Sequence, residues 1–522
     1  MRLEQAIRRQ PFPGWVENVP AYASLTVFYR PEQIVGAPGL SPYQFVQKAL
    51  ETLLASLPES APEMRKVVTV PVCYEAECGP DLDDVAALHG ISREQVIALH
   101  QQQDYQVYMM GFLPGFAYMG ILKENLATPR KNAPRARVPA GSVGIAGRQT
   151  GVYPLDSPGG WQIIGRTPLK MFDPDSPAPF LLQTGASVRF QTITREEFDR
   201  YAPTPQEPSL PSPNASHADA VVLRPGPYAT LQDLGRTGFR ASGVPVSGAM
   251  DQQAHRMANA LVGNTPQAAT IECTMGGLSV QFQKATRIAL AGSGAAAING
   301  QPLELYQPYA VAAQDVLEIR FQPPGLRIYL AVKGGFDAPV ILNSKSMSTL
   351  IGIGAPLKKG DLLWFDQETA TVPPELPNLS APAPSTSVRV FRGPEFEWLR
   401  QESRERFFTQ PYTLSHRFDR MGCHVQAEPL TFSTTRELLS TAVTPGTIQC
   451  TPAGQLILLM QDCQTTGGYP RVGQIAAVDL PRVAQWVPGE QRFFSEISFE
   501  EAESLYMVDK VLTRNLACVG PG

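Results

Sequence analysis

The chain has 522 residues, a formal net charge of −4 and no long basic run, which argues against nucleic acid as its main partner. No apolar run reaches the ~18 residues that a membrane-spanning helix needs, and the N-terminus lacks the apolar core of a secretory signal. Seven cysteines, an odd number without a Cys-x-x-Cys pair, predict reduced thiols in a cytoplasmic protein. The 43 glycines and 49 prolines predict short strands joined by many turns, hence a mainly β protein with some α.

Two Pro/Ser-rich stretches, 201–220 and 366–387, read as linkers. They leave a small N-terminal α/β unit (1–66) and β-rich units at 67–200, 221–365 and 388–522. In the first unit, 24–29 is extended and 42–57 is helical. From Val67 the run Val68, Thr69, Val70, Pro71, Val72 predicts a strand. A helix over 81–88 stops at Gly90. The next opens with Ser92 as N-cap and Gln95 as its capping-box partner, with Ile91 and Val96 placed as a hydrophobic staple. That helix carries Val96, Leu99 and His100 within one turn. A strand at 105–110 and the turn-rich loop GFLPGFAYMG follow. Further on, Asp251 caps a helix whose Ala254, Met257, Ala258, Leu261 and Val262 form one apolar stripe ending at Gly263. Strands are expected at 288–291 and 326–332. Gly292-Ser293-Gly294 lacks the continuation of a dinucleotide loop and predicts a hairpin.

Two stretches, residues 139–165 and 445–473, repeat one pattern. Each opens Gly-hydroxyl-β-branched (Gly141-Ser142-Val143; Gly446-Thr447-Ile448). Each then has Gly-Gly-aromatic and a further glycine (Gly159, Gly160, Trp161, Gly165; Gly467, Gly468, Tyr469, Gly473). Each closes on a later Gly followed by Arg-Phe (Gly185, Arg189, Phe190; Gly489, Arg492, Phe493). Glycines in matched order predict two related β units whose backbones bend at equivalent places.

There is no P-loop and no His-x-His or His-x3-His pair, so no metal site is expected. What remains is arginine, glycine and carboxylate together in turns: Arg130, Arg135 and Arg137; Gln232, Asp233, Gly235 and Arg236; Arg417, Asp419 and Arg420; Asp462, Thr465, Thr466 and Arg471. Guanidinium groups bind carboxylate or phosphate bidentately, and neighbouring glycines let backbone N–H groups join them. The competing reading is that these arginines pin loops to barrel rims. His100 is either a general base or a helix-end residue packed on its barrel. Asp251 is either a plain N-cap or a catalytic carboxylate. Trp161 and Tyr469 either line a pocket or belong to the core.

The segments PDLDDVAALHGIS, YQVYMMGFLPGFAYMG, PRARVPAGSVGIAG and YPLDSPGGWQIIGRTPL closely resemble the B subunit of 5-oxoprolinase, the allophanate hydrolase subunit 1 family. TLQDLGRTGFRASGVPVSGAMDQQAHRMANALVGN, FDRMG, PGTIQ and QTTGGYP closely resemble the C subunit of 5-oxoprolinase, the allophanate hydrolase subunit 2 family. The pair is also similar to the carboxyltransferase region of urea carboxylase. The resemblance implies a fusion of the two subunits, with cyclophilin-like β-barrels in tandem after a small N-terminal α/β domain. It implies an ATP-dependent 5-oxoprolinase component that uses ATP with Mg²⁺ as substrate and holds no tightly bound cofactor. Its implied partner is the LamB/YcsF-type A subunit of 5-oxoprolinase. The pattern is also compatible with self-association.

Under that resemblance His100, Asp233 and Asp419 are the catalytic candidates. Arg130, Arg137, Arg166, Arg236, Arg420 and Arg471, with Gly159, Gly160, Gly467 and Gly468, are the substrate- and phosphate-binding candidates, expected in a cleft between the two halves. Three departures stand out. The family's opening Gly-Asp-x-Ala-Leu strand is absent, which implies a truncated first domain. Asn343-Ser344-Lys345-Ser346-Met347 replaces Gly-Ser-Arg-Ser-Thr, and Phe418 replaces the Ser of Ser-Asp-Arg-Met-Gly. A second reading implied by the resemblance is a biotin-dependent carboxyltransferase acting on urea or a similar amide, dependent on a separate biotin carrier. A third is a non-catalytic regulator of a histidine kinase.

Overall fold

The computed structural model describes residues 2–34, 39–57, 67–201, 218–366, 385–434 and 436–517. Most of both expected linkers, and Cys518, lie outside the described residues. The other six cysteines are buried and free. The N-terminal unit contains the helix Arg2–Arg9, a two-stranded ribbon (Trp15–Pro20 with Leu25–Tyr29) and the helix Pro42–Ala55, whose Ser41 and Gln44 form a capping box.

Alternation of apolar residues then builds the first barrel. Val70, Val72, Val107, Met119, Val143, Ile145, Val152, Ile164 and Val188 all turn inward. The strand order is Gln162–Arg166, Ser142–Ala146, Gln149–Val152, Ala117–Gly120, Tyr105–Met110, Ser187–Thr192 and Val67–Val72. Paired backbone hydrogen bonds between Cys73 and Arg166, 2.8 and 2.9 Å, bring the two edges together and nearly close the sheet. The predicted capping box is present, with Ser92 and Gln95 bonding reciprocally at the head of Arg93–Gln101.

The C-terminal unit is a closed barrel of Ser387–Arg392, Arg471–Ile475, Thr447–Cys450, Leu456–Leu459, Gly422–Gln426, Tyr412–Phe418 and Gln491–Glu496. Counted from Val67–Val72 across the Cys73–Arg166 closure, the first barrel has this same order, strand for strand. Each barrel also has one parallel contact, between its first and last strands. Even the irregularities match. The register slips between Ile163 and Gly165 opposite Gly144 and Val143, and between Arg471 and Gly473 opposite Gln449 and Ile448. Gly141 and Gly446, at φ 81° and 89°, make the same left-handed entry into the strand that follows. The expected duplication is therefore a duplication of topology. Its last element needs correcting: Phe190 is buried, Phe493 is 42% exposed, and the core position belongs to Phe494.

Between the barrels lies a pair of facing sheets, six strands and five strands, sharing a core that includes Ile271, Val280, Phe282, Leu290, Leu330 and Phe336. The predicted helix, Gln252–Leu261, lays Ala254, Met257, Ala258 and Leu261 on the outer face of the five-stranded sheet. Gly292-Ser293-Gly294 is not a hairpin. It carries the chain from Thr286–Gly292 in one sheet to Ala295–Ile298 in the other.

Candidate functional site

The first hairpin of each barrel reaches the same segment of the middle domain. From the first barrel, Gly115 N–H donates to Ser242 O at 3.1 Å, and Gly243 sits so close to Leu113 O that a Cβ there would lie 2.5 Å away. From the C-terminal barrel, the hairpin carrying Asp419 and Arg420 sends the Arg420 guanidinium to Gly248 O. Glu17 of the N-terminal unit clamps Arg240, accepting from its backbone N–H at 2.8 Å and from its guanidinium, which also lies 4.4 Å from the Phe28 ring centre. Thr465 Oγ1 donates to Gly111 O at 3.4 Å, so the two barrels touch directly.

Where these units meet, the structure buries a set of charges. Arg420, 5% exposed, donates through Nε to Asp462 Oδ2 at 2.9 Å and through Nη1 to Glu272 Oε1. Glu272, wholly buried, also accepts from Met250 N–H at 2.8 Å and Tyr329 Oη at 2.7 Å. Burial alone would raise the Glu272 carboxyl. The guanidinium groups of Arg420 and Arg327, with those two hydrogen bonds, outweigh it and hold the group below the usual carboxylate range. Burial likewise works against the charged form of Arg420, and the two carboxylates overcome it.

Beside this pair lies a cavity of about 430 Å³. Its walls include Tyr228, Thr274, Arg327, Leu350, Arg420 and Asp462, with Asp419 at the hairpin tip. Leu350 also packs against the first barrel, so three units frame the space. Two buried polar atoms of the lining, Arg327 Nε and Thr274 Oγ1, have no hydrogen-bond partner. Nε of Arg327 stands 3.9 Å from Glu272 Oε1, too far for a hydrogen bond.

Arg236 lies behind the same network. Its side chain is fully buried, its Nη2 donates to Ser346 O, and its Nε and Nη1 are unpartnered. Burial depresses its pKa, opposed by the nearby carboxylates of Asp233 and Asp462. Buried donors without acceptors are costly, and in folded proteins they mark places where water or a ligand completes the bonding. The arrangement therefore offers guanidinium donors to an anionic or carbonyl oxygen beside a fixed pair of carboxylates.

The residues expected from sequence divide sharply. Asp233, Arg236, Asp419 and Arg420 come together here. Asp233 works on the loop: it accepts from Gly235 N–H, Lys345 N–H and Ser344 Oγ, each at 2.7 Å, and from Ser346 Oγ. Asp419 is exposed and accepts from Met421 N–H at 2.7 Å and Gly422 N–H at 3.0 Å, closing its own turn.

The remaining candidates lie elsewhere. Arg471 is bidentate to Glu395, 2.8 and 2.9 Å, and pins the rim of the C-terminal barrel. Arg137 pairs with Asp156 at 2.8 Å on the surface, Arg166 donates to Ala140 O at 2.9 Å, and Arg130 is exposed. Gly159, Gly160, Gly467 and Gly468 all have ordinary negative φ. A Cβ on Gly159 would come 2.4 Å from Tyr153 Oη, and one on Gly467 would come 2.6 Å from Gln449 Nε2. Trp161 is core, 4% exposed, while Tyr469 is 44% exposed.

His100 lies inside the first barrel, 0% exposed. Thr150 gives its hydroxyl proton to Gly144 O, so His100 Nε2 carries hydrogen and donates to Thr150 Oγ1 at 2.9 Å. Nδ1 then accepts from Tyr74 Oη at 2.9 Å. Burial lowers its pKa to about 3, which keeps the ring neutral. Both nitrogens are occupied by core hydroxyls, and this geometry matches the packing reading.

Asp251 caps its helix, accepting from Ala254 N–H at 2.9 Å, and burial raises its pKa to about 6. Sequence reasoning passed over Glu272 and Arg327. The available signal was a lone charge in a strand with no other charge, Glu272 in the middle of Thr270–Thr274 and Arg327 at the head of Arg327–Val332, since an unpaired buried charge is prohibitively costly.

A family model described as carboxyltransferase domain, subdomain C and D, matches residues 1–182, and one described as carboxyltransferase domain, subdomain A and B, matches 242–496. The chain is 46% identical over 198 residues to the B subunit of 5-oxoprolinase from Bacillus subtilis, covering 37% of this chain and 82% of that protein. It is 37% identical over 286 residues to the C subunit of 5-oxoprolinase from Escherichia coli, covering 54% of this chain and 92% of that protein. The crystal structure of TTHA0988 superposes with a TM-score of 0.82 at 33% identity, over 95% of each chain.

Proposed function

Because the chain belongs to the carboxyltransferase-domain family that includes the B and C subunits of 5-oxoprolinase, and carries both on one polypeptide, we propose that it is a component of an ATP-dependent 5-oxoprolinase. On this reading it opens 5-oxo-L-proline to L-glutamate in the cytoplasm, together with a separate LamB/YcsF-type A subunit. The observation that carries the reading is coverage. Two relatives named as subunits of that enzyme align over 82% and 92% of their own lengths.

The chemistry fits a site of this kind. A lactam carbonyl is a poor electrophile, and phosphoryl transfer from ATP to its oxygen activates the carbon. Water then adds, the C–N bond breaks, and a second water releases phosphate from the acyl phosphate to leave glutamate. Guanidinium donors suit the phosphate and carboxylate oxygens, and Mg²⁺ would enter with the nucleotide. Arg420 is spent on Glu272 and Asp462 and serves to hold the site in shape. Arg236 and Arg327, with donors to spare, are the anion-binding groups on this reading.

The test is to mix the chain with a LamB/YcsF-type protein, ATP, Mg²⁺ and 5-oxo-L-proline and to measure glutamate. Glutamate that requires both proteins and ATP supports the reading. Its absence, with an authentic 5-oxoprolinase assembly active in parallel, rejects it. The description of both matching family models as carboxyltransferase domains favours a second reading, carboxyl transfer from a biotin carrier to a urea-like amide. A carboxybiotin assay tests that directly.

A further inference from the structure

The duplicated barrels differ at one place where their backbones agree. In the C-terminal barrel, Gln449 and Ile457 face each other across neighbouring strands, and His424 faces Ile457 from the other side. Their strand neighbours Ile448, Cys450, Leu456 and Leu458 fill the barrel core, so these three side chains point outward. In the first barrel the pair corresponding to Gln449 and Ile457 is Gly144 and Gly151.

Trp161 lies on those two glycines. A Cβ on Gly144 would come 3.2 Å from Trp161 Cβ, and one on Gly151 would come 3.1 Å from Trp161 Cζ3. Phe116 and Tyr118 ring the indole, each with centroids 5.6 Å away. The first barrel's outer face is thus plugged by its own tryptophan.

In the C-terminal barrel the equivalent aromatic is Tyr469, which stands off, 44% exposed, over a cleft of about 410 Å³. The cleft is lined by Gln449, His424, Gln464, Tyr469, Phe418 and Arg417, among others. Gln449 is 1% exposed, and its Nε2 is buried without an acceptor. Gln464 Nε2 approaches the same spot: a Cβ on Gly467 would lie 2.6 Å from the first amide nitrogen and 3.5 Å from the second. Burial and the neighbouring Arg417 lower the pKa of His424, so its ring is neutral at pH 7. The floor therefore presents amide donors, the wall a phenol ring, and the mouth the exposed Arg417.

We infer that this cleft, which shares Phe418, Asp419 and Met421 of the hairpin with the cavity beside the buried charge network, is a second binding site for a small planar amide that bears a carboxylate. Its carbonyl oxygen accepts from Gln449 Nε2, its ring or amide plane lies against Tyr469, and its carboxylate faces Arg417. The inference rests on the oxoprolinase reading only for the choice of probe, 5-oxo-L-proline.

Binding to the full-length chain, without ATP or a partner protein, is measured by calorimetry for 5-oxo-L-proline and for L-proline, which lacks the lactam carbonyl. The wild type is expected to bind the lactam and to discriminate against proline. Gln449→Leu, which removes the donor and keeps the bulk, weakens the lactam about tenfold without lowering the melting temperature. Tyr469→Ala, at an exposed position, weakens it independently. No lactam binding by the wild type, or binding by both variants as tight as that of the wild type, overturns the proposal. Glutamate formation with unchanged Gln449→Leu binding would sink this site and leave the oxoprolinase reading standing. Lost binding without any glutamate formation would do the reverse.

Discussion

His100 of the first barrel and Phe407 of the C-terminal barrel occupy the same place. Each offers its backbone carbonyl to a tyrosine hydroxyl five residues on, Tyr105 at 2.8 Å and Tyr412 at 3.0 Å. Each ring packs against a core phenylalanine, with His100 and Phe190 centroids 4.4 Å apart and Phe407 and Phe494 centroids 5.3 Å apart. A histidine that shares its position with a phenylalanine in the sister barrel is held there by packing, and its polarity is absorbed by Tyr74 and Thr150.

That placement sets a pH dependence. His100 falls to about 3 in the folded state and His255, whose Nε2 donates to Pro266 O at 3.0 Å, to about 4. Both therefore bind protons more readily when unfolded. Their stabilising contribution is complete above the ordinary value of 6.5 and is lost as pH falls toward those values. At pH 5 each costs about 2 kcal/mol. Asp251, raised from 3.8 to about 6, acts oppositely: it favours the fold below its unfolded value and loses that contribution as pH rises through 6. It offsets about 1 kcal/mol at pH 5. Denaturant melts at pH 7.5 and pH 5 should show a net loss of about 2–3 kcal/mol. The double variant His100→Phe, Tyr74→Phe should lose about 2 kcal/mol less over that interval.

Arg420 holds two buried carboxylates, so Arg420→Met leaves Asp462 without its paired guanidinium and Glu272 with only that of Arg327, 3.9 Å away. Loss of one partner from a buried pair costs about 3–5 kcal/mol. Chemical denaturation should show that loss. The triple variant with Glu272→Gln and Asp462→Asn should recover part of it. Full stability of Arg420→Met alone would refute the pairing as a structural element.

Arg236 makes the contrasting case. Its Nη2 has an acceptor in Ser346 O, while Nε and Nη1 have none. Arg236→Met should therefore change stability by no more than about 1–2 kcal/mol, since it removes unsatisfied donors along with one bond. Glutamate formation with the LamB/YcsF-type protein should nonetheless fall at least about a hundredfold, the effect expected when a preorganised donor to a developing anion is removed. A variant with intact turnover would show that Arg236 is structural.

Gly165 and Gly473 sit at the shared bulge and face equivalent valines. A Cβ at Gly165 would meet Val72 Cγ1 at 2.6 Å and the Cys73 carbonyl at 3.0 Å; at Gly473 it would meet Val390 Cγ1 and Phe407 Cζ, both at 3.0 Å. Alanine at either position should destabilise by about 1–3 kcal/mol through overpacking, more at Gly165 where backbone is in the way. Parallel melts of the two variants measure the ranking. No loss in either would contradict the close approach.

Local signals in the sequence were dependable where the physics is local. The Ser92–Gln95 capping box, the Asp251 cap and the Gly141/Gly446 entries each depend on a few neighbouring residues, and each stands as read. The order of glycines in two distant stretches likewise determined that the protein contains one barrel topology twice, because bulges and tight entries recur wherever the backbone path recurs. The Phe493 match failed for an equally local reason: strand alternation puts Phe494 inside and Phe493 outside.

Tertiary structure alone decided which charges meet. Arg420 finds Glu272 across 148 residues and Asp462 across 42, and nothing in either neighbourhood specifies the other. It also decided that Arg471 has its carboxylate while Arg236 lacks acceptors for two nitrogens, and that an indole seals one barrel face while a phenol leaves the other open. Sequence determines such outcomes only through packing, because a buried group's chemistry depends on which distant atoms replace its water.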